Sequence, residues 1–429
     1  MTPLKDIKVL ELASAMAAPL TCQLLGDLGA DVLKIEPPTG DGYRGRLMES
    51  DADAPGINPR FACVNRNKRS LAIDIHNPEA RAIVDRLIKW ADVLIINYRM
   101  GTPERLGWGA ERCHELNPRL IYARLTGYGD SGPWARRRGA DIWTQAVGGT
   151  VAPQGSPGRE PILGSTAFVD HGTPLALAYG ITAALYDREK TGKGTVVKTS
   201  LLDTTLYMQT SSNLTDYLNG EPMVVKGGRG WGGGFPMGAY PASDGDLVTM
   251  MIGDDQWDAF LRVLGLDHMR GRPEYDTQAK RVALRHDLYP ILDEAFRKKT
   301  RAEWAKIFKD TGIIRAEPAL RYDEVAAHPQ VQHNETIIPV PHSEVGAFMA
   351  IASPVSVGGT RSDIRLPPPG VGEHTGEILG ELGFAPAEVE AMFTGQVVFD
   401  PAHPATANAK VAQREKYAKD LAGAVADEG

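Results

Sequence analysis

Over the first two hundred residues, short aliphatic runs alternate with longer stretches in which apolar positions recur at helical spacing. This pattern marks a parallel sheet with crossover helices. Lys8 to Leu12 reads as a strand, Leu20 to Leu28 as a helix closed by Gly29, and Val32 to Ile35 as a second strand stopped by Pro37-Pro38. Further strands are predicted at Leu71 to Ile75, Val93 to Ile96 and Leu120 to Leu125. Between the first two of these, Ala82, Ile83, Leu87 and Trp90 share one face of a helix whose first turn suits Pro78. A short helix is expected around Glu111 to Leu116.

A longer helix is expected from Gly172 to about Lys190, with Pro174 in its first turn, Gly192 past its end and a strand at Val196-Val197 beyond. Its nearly apolar stretch, Pro174 to Tyr186, reads as buried and is shorter than the roughly 20 residues of a membrane span. Periodicity then fails in a glycine-rich stretch, Met223 to Phe235. Beyond it, a strand pair and helices around Gln256 to Leu264, Arg281 to Arg297 and Arg301 to Thr311 suggest a smaller α+β domain. Short strands after Pro339 and a last helix near Glu373 to Leu382 follow. The expected organisation is a large α/β domain over residues 1–215, a linker or lid over 216–239, a small domain over 240–330, and a return to the large domain over 331–429.

Composition narrows the function. The 429 residues carry 47 Lys plus Arg against 54 Asp plus Glu, a net charge of -7 that offers no general attraction to nucleic acid or an anionic membrane. Cys22, Cys63 and Cys113 stand far apart without a Cys-x-x-Cys pair or zinc-ligand spacing, so neither disulfides nor a structural metal is expected, and a reducing cytoplasm fits. Lys5, Asp6 and Lys8 interrupt any export signal at the N-terminus.

Three features could carry chemistry. Gly127-Tyr128-Gly129-Asp130-Ser131-Gly132 follows a strand and matches the dinucleotide pattern, but Pro133-Trp134 follows where a helix should start and no acid stands about 20 positions on, so it reads as a turn. Arg66, Lys68, Arg69 and Arg136 to Arg138 form basic clusters that could hold a phosphorylated small molecule or simply face solvent. Asp170 directly precedes the predicted helix, where unpaired N–H groups and the helix dipole should keep a carboxylate ionised, as an N-cap or as a nucleophile. His171 beside it fits a structural or solvent-facing role better than a catalytic one.

Ordered motifs resolve the choice. Lys8-Val9-Leu10-Glu11 with Ala18-Pro19, Leu28 to Glu36, Asn67-Lys68-Arg69-Ser70-Leu71, Ala91-Asp92-Val93-Leu94 with Asn97-Tyr98-Arg99, Leu116 to Ile121, Lys190-Thr191-Gly192-Lys193-Gly194 and Gly372-Glu373-His374-Thr375 occur in one order over most of the chain. Together they resemble the class III CoA-transferases, the CaiB/BaiF family that contains formyl-CoA transferase and the carnitine CoA-transferases. The resemblance implies a Rossmann-like large domain, an interlocked homodimer, and coenzyme A or acyl-CoA as substrate with no tightly bound cofactor. It matches Asp170 to the catalytic aspartate and Gly232, Gly233, Gly234 and Phe235 to a mobile loop. It matches Met16, Ala17, Ile73, Asp74, Ile75, His76, Asn97, Tyr98, Arg99, Arg105 and Arg138 to the CoA contacts. Pro37 stands where some members carry a phosphate-binding arginine, with Arg44 or Arg46 as possible substitutes. The alternative, an α-methylacyl-CoA racemase, moves an α-proton with a histidine and an aspartate; its histidine falls in a Gly-His-Asp triplet that here reads Gly139-Ala140-Asp141, which leaves His171 as the only nearby base. A CoA-binding protein without catalysis is the rival from another class, and it has no use for an ionised Asp170.

Overall fold

Among the described residues, seven strands form one sheet, in the spatial order Val398–Phe399, Lys68–Ile73, Asp31–Glu36, Lys8–Leu12, Val93–Ile96, Ile121–Thr126 and Val196–Ser200. The computed structural model describes residues 2–45, 58–154, 161–220, 229, 234–314, 316–343 and 345–406. The strands are β1 Lys8–Leu12, β2 Asp31–Glu36, β3 Lys68–Ile73, β4 Val93–Ile96, β5 Ile121–Thr126 and β6 Val196–Ser200, all parallel, with β12 Val398–Phe399 antiparallel at the β3 edge. The chain reverses its direction of growth at β1, which pairs with β2 on one side and β4 on the other. Loops at the carboxyl ends of β1 and β4 therefore diverge and leave a crevice, the usual binding position in such sheets.

Both faces are covered, which explains the nearly uninterrupted aliphatic strands. One face packs Leu10, Leu33, Leu71, Leu94 and Tyr122 against Ala80–Trp90 and the C-terminal helices Thr375–Glu381 and Pro386–Thr394. The other packs Val9, Val32, Val93 and Ile121 against Ala17–Asp27 and Phe168–Thr191. On Ala80–Trp90 the buried face is Ala80, Ile83, Val84, Leu87 and Ile88, with Trp90 packed partly buried against it; of the four expected positions only Ala82 is exposed. Pro386–Thr394 and β12 carry too short a pattern to be read from sequence alone.

The chain divides into two units. The first comprises Met1–Gly148, Ser165–Met208 and His333–Gly429, and includes the hairpin of β10 Ile337–His342 and β11 Gly346–Ile351. The second comprises Gly149–Gly164 and Gln209–Gln332. Its sheet of β7 Gly238–Ala242, β8 Gly245–Thr249 and β9 Ala316–Pro318 packs on an aromatic core of Phe235, Tyr240, Trp257, Phe260, Phe296, Trp304 and Phe308.

The basic cluster at 66–69 is neither a solvated face nor a phosphate site. Arg66 is 1% exposed and donates from Nε and Nη2 to the Asp27 carboxylate at 3.0 and 2.5 Å, while Arg69 reaches Asp31, Glu377 and Glu381, each at 2.8 Å. Lys68 is fully buried against Glu11, 2.8 Å away. Asp27 also accepts from Asn67 and Ser362, and so joins the first helix to the C-terminal segment. Removing one partner of a buried pair strands the other charge. Asp27→Ala should therefore lower unfolding free energy by about 3–5 kcal/mol in urea titration; a loss below about 1 kcal/mol would show the node to be dispensable.

Candidate functional site

The carboxyl edge of the parallel sheet collects most of the residues expected to bind CoA. Met16 and Ala17 follow β1, Asp74 to His76 follow β3 from its last residue Ile73, and Asn97 to Arg99 follow β4. Arg105 is exposed on the short helix Thr102–Leu106, and Arg138 is exposed in the segment after β5. Their roles differ. Ile73 and Asp74 are buried and serve the backbone, with the Asp74 carboxylate accepting from the His76 N–H at 3.0 Å. Asn97 accepts from the Ser14 N–H at 3.1 Å and donates to the Ser14 carbonyl at 2.9 Å, so it fixes the turn that presents Met16 and Ala17. Arg44 is committed to Glu36 through two 2.8 Å contacts and stacks on Phe61, and Arg46 lies outside the described residues.

A buried charge cluster supports that turn from below. Glu11, Lys34 and Lys68 occupy adjacent strands on one face, where Lys34 Nζ donates to Glu11 at 2.8 Å, to Asp41 at 2.9 Å and to the Ala13 carbonyl at 3.1 Å. Burial alone would push the Glu11 carboxyl up, but the two ammonium groups beside it hold it below the usual range. Burial likewise opposes the charge on Lys34, and Glu11, Asp41 and Glu36 outweigh it and raise its pKa. Asp41 also accepts from the N–H groups of Ala15 and Tyr43. Ala15 has φ 68°, a left-handed conformation costly for a residue with a Cβ. Sequence reading missed Asp41 and the use of Lys34 because their partners are set by strand register.

Of the two readings of Asp170, the N-cap does not hold: that position is Ala167. The helix begins at Phe168, four residues earlier than predicted, and Asp170 lies in its first turn. Pro174 has no N–H for the Asp170 carbonyl, yet the helix continues to Thr191. The N–H groups of Val169 and Asp170 donate to Asp141 Oδ2 at 2.8 and 2.9 Å. The carboxyl of Asp170 is pushed up to about 6, first by burial and then by the Asp141 charge, with His171 pulling the other way. His171 is exposed, and its Nδ1 lies 2.7 Å from the Ala167 carbonyl. No signal local to Asp170 announced this; Asp141 stood in the Gly-Ala-Asp triplet.

The glycine turn after β5 has a steric purpose. A Cβ on Gly127 would lie 2.6 Å from the Gly139 Cα, so two glycines let the segments cross and bring Asp141 to the start of Asp141–Val147. No helix starts within Gly127 to Gly132, in keeping with the rejected dinucleotide reading. Of the expected mobile loop, Gly232 and Gly233 lie outside the described residues, as does Trp231. Gly234 and Phe235 belong to the second unit, where Phe235 is 1% exposed and its ring lies 5.9 Å from that of Trp257. Its side chain, like that of Tyr240, lies in the core of that unit. Among the described residues, no group of three or more His, Cys, Asp or Glu is placed to hold a metal, and no helix is long and apolar enough to cross a membrane.

Residues 4–375 match the CoA-transferase family III. An acyl-CoA transferase of Fusarium pseudograminearum is 35% identical over 89% of this chain and 85% of its own length. Human succinyl-CoA:glutarate CoA-transferase is 32% identical over 89% of this chain and 86% of its own. The crystal structure of a CaiB/BaiF family protein from Brucella suis superposes with a TM-score of 0.79, at 31% identity over 89% of this chain and 99% of that one. With the family model spanning residues 4–375 and the fold shared with that crystal structure, the chain belongs to CoA-transferase family III.

Proposed function

We propose that the protein transfers CoA from an acyl-CoA donor to a free carboxylic acid, with Asp170 as the covalent nucleophile. An Asp170 oxygen attacks the thioester carbonyl; the C–O bond of a mixed anhydride forms, the C–S bond breaks and CoA thiolate leaves. The thiolate then attacks the Asp170 carbonyl carbon, releasing the donor acid and leaving an aspartyl-CoA thioester. The acceptor carboxylate attacks that thioester, CoA leaves again, and its return to the acceptor's carbonyl yields the new acyl-CoA and the free Asp170 carboxylate. Each step needs a group that both attacks and departs, which a carboxylate does.

The observation that carries this reading is the raised Asp170 carboxyl at the carboxyl edge of the sheet. A pKa near 6 leaves the group mostly ionised at neutral pH, and more nucleophilic than an ordinary aspartate. The exposed guanidinium groups of Arg105 and Arg138 are the proposed phosphate partners. The doubly wound order β3-β2-β1-β4-β5-β6 supports a Rossmann-like assignment of the large domain. The named activity of the human relative points to dicarboxylic acids as the first substrates to test.

The apolar stretch at 174–186 is not wholly buried: Leu175, Tyr179 and Tyr186 are 44%, 77% and 67% exposed. Trp143 and Val147 on one neighbouring helix and Tyr207 on another are exposed as well, and this amount of exposed apolar surface supports the proposed homodimer. Light scattering should give about twice the 46.4 kDa chain mass; a monomer at micromolar concentration would refute the dimer.

Exchange between succinyl-CoA and glutarate, with oxalate and longer acids as alternative acceptors, tests the activity. Asp170→Ala should abolish exchange while remaining folded, and Arg105→Ala or Arg138→Ala should raise KM for succinyl-CoA about tenfold with kcat little changed. Undiminished exchange in Asp170→Ala would reject the nucleophile. Protonation removes the attacking lone pair, so kcat/KM should rise with pH through an acid limb near 6. A limb near 4, the ordinary aspartate value, would contradict the site described.

A further inference from the structure

Asp141 takes no part in the bond changes above, yet its carboxylate accepts hydrogen bonds from the start of the site helix and from its own helix. It is 6% exposed, accepts from the Val169 and Asp170 N–H groups through Oδ2, and accepts from Gln145 Nε2 through Oδ1. Gln145 is itself buried. Ala167, at the cap position of the site helix, offers no side-chain hydrogen bond, so Asp141 supplies the cap from another helix. The crossing of Gly127 and Gly139 sets where that carboxylate sits.

We propose that Asp141 is the positioning residue of the Asp170 nucleophile: its carboxylate clamps the backbone of Asp170 and takes the two first-turn donors that would otherwise turn toward the nucleophile. This rests on the reading of Asp170 as nucleophile. The same two N–H groups cannot serve both carboxylates, and a carboxylate that accepts N–H bonds is held in its charged form and made less basic. By occupying them, Asp141 leaves the oxygens of Asp170 available for attack. The charge of Asp141 adds to this, and His171 opposes it. On the elements packed alongside, Asp203 is bound to Ser200, Lys198 to Asp130, and Asp27 of the first helix to Arg66.

Two variants separate clamp from charge. Asp141→Asn keeps an oxygen that can accept from both N–H groups but removes the charge; the acid limb of kcat/KM should move to lower pH while kcat falls only a few-fold. Asp141→Ala removes the clamp; formation of the Asp170 adduct from succinyl-CoA should slow about 10- to 100-fold with KM little changed. Carbon-13 NMR titration of aspartate-labelled protein, with the Asp170 signal assigned from Asp170→Ala, reads the same shift without substrate. An Asp170 titration left unmoved by Asp141→Asn, or an adduct rate unchanged in folded Asp141→Ala, would overturn the proposal; the first readout holds even if Asp141→Ala fails to fold. Failure of the nucleophile reading would look different: an adduct that survives in Asp170→Ala.

Discussion

A fully buried carboxylate can stay ionised only where matched cations replace its water, and the centre of this sheet is built around that constraint. Glu11 on β1 faces Lys34 on β2 and Lys68 on β3, and each ammonium finds further oxygens: Asp41 and the Ala13 carbonyl for Lys34; Asn65 and the Pro19 and Val64 carbonyls for Lys68. Replacing such a cluster with apolar side chains could stabilise the sheet just as well. What an apolar core could not do is hold the Ala13 carbonyl and, through Asp41, the Ala15 N–H in a turn with a left-handed alanine. That turn presents Met16 and Ala17 at the point where the sheet reverses. The cluster therefore links strand register to the geometry of the proposed CoA site.

The site helix is governed by a second carboxylate. An aspartate in the first helical turn would ordinarily be stabilised as an anion by the helix dipole and free N–H groups. Here Asp141 takes those donors, and burial then decides the outcome, so Asp170 is more basic than an isolated aspartate. The contrast with Glu36 shows the rule at work. Glu36 is more deeply buried than Asp170, yet Arg44 and Ser70 bind it directly and hold its carboxyl down to about 2. Both carboxylates lose water contact, but Arg44 is bound to Glu36, and among the described residues no cation is bound to Asp170, the proposed nucleophile.

Strands β1, β2, β4 and β5 were legible in the sequence to within a residue because each centres on an aliphatic run, whereas β3 starts at Lys68, three residues before the expected Leu71, because its first half is Lys-Arg-Ser. The beginning of the site helix was not, since Pro174 and Gly172 resemble starting signals while the cap lies 29 positions upstream at Asp141. Arg66, Lys68 and Arg69 read as surface or ligand-binding charge because their partners are distant; Arg69 and Glu381 are 312 positions apart. Tyr179 and Tyr186 read as core because apolar periodicity does not tell a buried face from one exposed in a single chain. Asp170 itself was local enough to be singled out, and the family resemblance gave it a role. The role of Asp141 depends on a crossing of two glycine segments that no spacing rule shows.

The most direct test of the central claim is to incubate the protein with succinyl-CoA, quench with hydroxylamine and map the product by mass spectrometry. An aspartyl hydroxamate at Asp170, absent without acyl-CoA, is the predicted result. An unmodified Asp170 in protein that is exchanging CoA at the same time, or a hydroxamate at another carboxylate, would contradict it.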